Sequence, residues 1–151
     1  MADRRSDDHP LTGFRFGVEI KGIVQAAFSS VSGLTIETAV VPMEQGGNNE
    51  YVHQLKGQTK YTNIVLKRGM TTSQEFFDWV QNSVTQETSG AKREDGAIIV
   101  YDDTGKKPMV RFEFVEAWPC KFVGPSFDTG SSAVLLETLE LAHHGFTMKK
   151  G

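Results

Sequence analysis

Near the start of the chain, Phe14, Phe16, Val18 and Ile20 alternate with Arg15, Gly17, Glu19 and Lys21. An apolar period of two cannot gather on one side of an α-helix, but it fills one face of a β-strand. The rhythm returns at Val110, Phe112 and Phe114, set against Arg111 and Glu113, and within Tyr61 to Arg68, where Thr62, Ile64 and Leu66 share a side. Strands with one wet face build antiparallel sheet, whose buried faces must then be covered.

Other extended segments fall around these. Gln25 to Ser32 reads as a partner strand closed by Ser32-Gly33, and Leu34 to Val41 continues extended until Pro42. Ala97 to Tyr101 and Met109 to Val115 make a hairpin around Asp102-Asp103-Thr104-Gly105. Trp118-Pro119 predicts a kink or bulge, because proline has no N–H for the ladder. Gly124-Pro125 to Ser132 is a turn-rich link, and Val134 to Phe146 completes the sheet set as a last strand. One helix stands out: Thr72-Ser73-Gln74-Glu75 is a capping box, followed by Phe76, Val80 and Val84 at spacings of four, with Phe77 and Trp79 widening the apolar face. It fades near Gln86, before a polar surface loop from Glu87 to Asp95.

Pro42 to Lys60 is the anomaly. It holds Gly46-Gly47-Asn48-Asn49 and Gly57, and few apolar residues beyond Met43, Tyr51, Val52 and Leu55. A polar excursion of that length between strands is uncommon without a function. The whole predicts a mainly β fold with one α-helix: two packed antiparallel sheets forming a β-sandwich or barrel, with a flanking helix and a long projecting loop. Its 151 residues suit one domain. Residues 1–12 read as a flexible N-terminal arm and 13–151 as the domain.

Composition narrows the function. The net charge of −3 leaves no electrostatic footprint for sequence-specific nucleic-acid binding. No stretch approaches the ~20 apolar residues of a membrane helix, and the polar Met1 to Pro10 has no apolar core of signal-peptide type. Cys120 is the single cysteine, so no intramolecular disulfide can form.

Catalytic constellations fail one by one. Asp103-Thr104-Gly105 and Asp128-Thr129-Gly130 imitate the paired loops of aspartic proteases, but Lys106 and Lys107 follow the first directly. Both read as turns, where Asp and Gly are favoured. His143 and His144 are adjacent and point apart on a strand, while His9 and His53 have no second ligand at metal spacing. Cys120 reads as a small buried hydrophobe. Most of the ten Phe, three Tyr and two Trp fall on apolar strand or helix faces and read as core. These residues predict no enzyme, no metal site and no cofactor.

The chain resembles the tail-tube family of contractile phages and phage-like injection systems. The resemblance runs from about Phe14 to Phe146 on ordered stretches: Phe14-Arg-Phe-Gly-Val18, Val31-Ser-Gly-Leu34, Glu44-Gln-Gly-Gly-Asn48 and Asn63-Ile-Val-Leu-Lys-Arg-Gly69. The helix with Phe77 and Trp79 follows, then Trp118-Pro-Cys-Lys121, Gly124-Pro125 and Glu137-Thr-Leu-Glu-Leu-Ala-His143. Lys56-Gly57 stands where the family often has Pro-Gly, and His144 where it has a glutamate.

The resemblance implies a structural subunit forming hexameric rings whose sheets join edge to edge around a channel. Rings stack into an inner tube that delivers DNA or protein cargo, with a sheath outside and baseplate or hub proteins at its start. It implies synthesis and assembly in a bacterial cytoplasm, then a place in a phage tail or extracellular injection particle. Glu44, Gln45, Gly46, Gly47, Asn48 and Asn49 are the expected inter-ring stacking loop. Two alternatives remain open at this level: a type VI secretion tube protein, and a β-barrel that binds a small ligand.

Overall fold

The computed structural model describes residues 15–20, 23–26, 28–44, 46–47, 52–70, 74–85, 93–130 and 135–151. The N-terminal arm, Thr72 and Ser73 of the capping box, and Gln86 at the expected helix end lie outside the described residues. The chain runs β1 (Arg15–Ile20), β2 (Ile23–Ala26), β3 (Ser30–Ser32), β4 (Ile36–Met43), β5 (His53–Tyr61), β6 (Ile64–Gly69), α1 (Glu75–Thr85), β7 (Glu94–Tyr101), β8 (Pro108–Val123), β9 (Leu136–Ala142) and β10 (Phe146–Lys150). The fold is mainly β with one helix, built from antiparallel sheet, as the alternation requires.

Strand β8 organises the body. It is 16 residues long and belongs to two layers. Its first half pairs with β7 on one side and β10 on the other, while its second half pairs with β9. Strands β9 and β10 therefore follow the same edge of β8 in succession. At the junction Gly145 O accepts from Val115 N at 3.1 Å, and Val115 O accepts from His144 N at 3.0 Å. Glu116 takes a φ of 51° there, an unusual conformation for a residue with a Cβ. The first layer runs β2-β1-β7-β8-β10 and the second β8-β9-β6-β3. Among the described residues the outermost strands do not pair with each other, so the layers stay open where a closed barrel was one expectation.

The two apolar faces meet in one core. Val18, Ile20, Ile98 and Phe114 come from the first layer, Ile64, Leu66, Leu139 and Leu141 from the second, and Trp79 from α1. The period-two reading of β1 holds: Val18 and Ile20 are buried, and β1 pairs with β7 in unbroken register from Arg15↔Tyr101 to Ile20↔Gly96. Helix α1 begins at Glu75, with Gln74 O accepting from Asp78 N at 2.8 Å, and packs on β8, where Phe77 meets the ring of Phe122.

Several boundaries differ from expectation. Gln25 to Ser32 is divided, because Ile23–Ala26 pairs with β1 and Ser30–Ser32 with β6, in different layers. Strand β8 runs beyond the expected end at Val115 to Val123, and the bulge expected at Trp118-Pro119 is present. A register shift between Pro119 and Lys121 absorbs the proline within the ladder. The last predicted strand is two, since the turn at 143–145 redirects the chain from β9 to β10. The expected loop ending at Asp95 gives way to β7 at Glu94.

Candidate assembly interface

The expected excursion from Pro42 to Lys60 is largely a β-hairpin. Strand β4 continues through Pro42 to Met43 and β5 begins at His53, leaving a short tip between them. Proline is tolerated because β4 is an edge strand of a two-stranded sheet, where an N–H facing away from the ladder has no partner to lose. Among the described residues the backbone of the two arms pairs with no other strand, and Tyr61 at the base of β5 joins them to the body.

A bulge decides which way its side chains face. Thr38 pairs with Thr59 and Val40 with Lys56, so Gln58 and Gly57 together oppose Ala39. One extra residue reverses the facing of the rest of β5. Below the bulge, Ile36, Thr38, Thr59 and Tyr61 share a face, and the two threonine hydroxyls meet at 3.1 Å. Beyond it, Ala39, Val41, Met43, Leu55 and His53 gather on the opposite face. Gly57 permits the crowding: a Cβ there would lie 2.9 Å from Ala39 O and 3.2 Å from Val41 Cγ2.

The near face is anchored on the chain's own body. The Tyr61 ring packs edge-on against His143 and Phe146, at centroid distances of 5.9 and 5.7 Å. His143 Nδ1 accepts from Gly145 N at 3.0 Å. Its Nε2 then carries the proton and donates to Thr62 O at 2.8 Å, fixing the neutral tautomer at the hairpin base. The far face has no such anchor: Val41, Met43 and Leu55 are each about half exposed. A two-stranded hairpin is marginal alone in water, and this one leaves apolar side chains uncovered.

Of the expected loop residues, Glu44 ends the described part of the first arm and Gly46 and Gly47 form a turn at the tip. Gln45, Asn48 and Asn49 lie outside the described residues. Among the described residues nothing stands within 4 Å of a Cβ at Gly46 or Gly47, although Gly47 has a φ of 93° that disfavours other residues. The sequence shows Met43 and Leu55 only as sparse apolar residues of the excursion, and Pro42, which reads as a strand end, hides their shared face with Val41.

Asp103 and Thr104 lie in the turn between β7 and β8, whose hydrogen bonds are made by the neighbouring Asp102 and not by Asp103 among the described residues. Asp102 Oδ1 accepts from Thr104 Oγ1 at 2.7 Å and, more weakly, from Lys106 and Lys107 amides, which closes the β7–β8 turn. The Thr104 hydroxyl, followed by these amides, holds the Asp102 carboxyl below its ordinary range. Asp128 Oδ1 accepts from Gly130 N at 2.9 Å in a second turn. His144, in the β9–β10 turn, faces Glu116 Oε2 and Arg93 rather than sharing partners with His143. Cys120 is exposed, not buried: the shift after Pro119 turns it outward, where Asn63 Nδ2 approaches its sulfur and Cys120 Sγ donates to Glu140 O at 3.3 Å. Partial burial of the thiol and the nearby Glu140 carboxylate raise its pKa, the opposite of an activated nucleophile. Arg68 and Glu137 form an ion pair inside the second layer, beneath Phe28. The cavity beside that pair holds about 10 Å³, too little for an organic ligand.

With this geometry in view, the comparisons decide the family. Residues 12–147 match the model of the T4-like virus tail tube protein gp19. The chain belongs to that tail-tube family. Solved tail-tube relatives share its fold over nearly their whole length. A chain of the PVC sheath–tube complex, an extracellular contractile injection system in its extended state, superposes with a TM-score of 0.83 at 25% identity, covering 100% of both chains. A chain of the PVC sheath/tube terminator gives 0.82 at 26% identity, covering 94% of this tail-tube protein and 98% of that chain. Hcp1 from Flavobacterium johnsoniae is more distant, with a TM-score of 0.57 at 19% identity over 91% and 96% of the two chains, and shows the shared fold. No curated protein sequence matches this tail-tube protein.

Proposed function

We propose that this tail-tube protein is a purely structural, non-catalytic subunit of a contractile particle's inner tube. Copies close into hexameric rings by pairing sheet edges. The rings stack through the β4–β5 hairpin into a hollow conduit for DNA or protein cargo. A sheath surrounds the tube and baseplate or hub proteins seed it. The subunit is made in the bacterial cytoplasm and ends in a phage tail or extracellular injection particle. Residues 13–151 act as one domain in this role, preceded by an arm at 1–12.

The hairpin carries the reading. Among the described residues its strands pair with no other strand, and beyond the Tyr61 base its exposed apolar side chains are uncovered. Open strands add support. Among the described residues β10 pairs only with β8, and β3 only with β6, so one edge of each is open to a strand of another chain. Repetition of one head-to-tail contact gives rings or filaments. The sheath–tube and tube-terminator relatives favour a contractile particle over the more distant Hcp-type tube.

Glu44, Gln45, Gly46, Gly47, Asn48 and Asn49 form the leading end of the stacking element. Gly46→Trp places bulk where the monomer leaves open space, whereas replacing Gly47 would also strain the turn. Electron microscopy of the purified proteins tests the assignment. Wild type should form tubes, and Gly46→Trp should remain as unstacked rings with an unchanged circular dichroism spectrum. Normal tubes from Gly46→Trp would remove the tip from the interface.

A further inference from the structure

We draw no further inference here: the strongest candidate, the groove of about 280 Å³ on the outward face of the first layer lined by Glu19, Asp95 and Glu113, is a cluster of carboxylates that Arg111, Lys149 and the Glu116 amide already engage, and nothing among the described residues points to a ligand there.

Discussion

Gly96→Ala gives the most direct energetic test of how the core is packed. Gly96 lies in β7 opposite Phe114, the largest side chain among those fully buried. A Cβ at this position would sit 2.5 Å from Phe114 Cζ, 2.7 Å from Phe114 Cε2 and 2.7 Å from Glu19 O. The carbonyl is fixed by the β1–β7 ladder and the ring by the core, so neither can yield without disturbing a layer. Overpacking of this kind costs typically about 1–3 kcal/mol, and three contacts this close belong near the upper end. Replacing glycine by alanine also restrains the unfolded chain, which offsets about 0.4–1 kcal/mol. A net loss of about 2 kcal/mol follows, lowering Tm by about 4–8 °C for a domain of this size. Urea and thermal unfolding should be measured on unassembled protein at low concentration, because assembly raises apparent stability by mass action. In a double-mutant cycle, Phe114→Leu should reduce the cost of Gly96→Ala. Unchanged or increased stability of Gly96→Ala would refute the packing argument.

Two further outcomes follow from the charges. Glu137→Ala removes the ion pair with the buried Arg68 and should lower stability in urea unfolding, whereas Arg68→Leu with Glu137→Leu should cost less than Glu137→Ala alone, since a buried ion pair is replaceable by apolar packing. Lys149, followed in effect by Arg111, holds the Glu113 carboxyl below its ordinary value of 4.5. Its contribution to stability is therefore complete above pH 4.5 and disappears as the pH falls through the lowered folded-state value. Glu113→Gln should flatten the acid limb of a stability–pH profile below 4.5 and leave its slope near neutral pH unchanged.

What the sequence disclosed tracks how strongly each element declares itself locally. Strand β1 was plain because its apolar residues alternate without interruption, and α1 because Trp79 and Val80 belong to a face of period 3.6. Strand β5 was not, for His53 to Tyr61 contains only Leu55 and Tyr61 as large apolar residues, and the bulge sends them to opposite faces. The continuity of β8 through Pro119 depends on a register shift that only its partner β9 reveals. Ser30–Ser32 and Ile23–Ala26 look like one strand until their partners in different layers are known. The candidate interface was half visible: the glycines of the tip punctuate the sequence, whereas the apolar face appears only once two arms are laid side by side. Cys120 was misplaced for a related reason, because bulge geometry rather than hydrophobicity sets its exposure.

The position of β9 in the strand order also governs when the second layer can close. Among the described residues strands β3 and β6 join the rest of the sheet only through β9, whose seven residues begin at Leu136. A chain emerging from the ribosome makes β3, the hairpin and β6 early, yet gives them no seat until nearly its last residues appear. Only a finished chain pairs β6 with β9, so a chain truncated before Leu136 leaves the second layer without its link to β8.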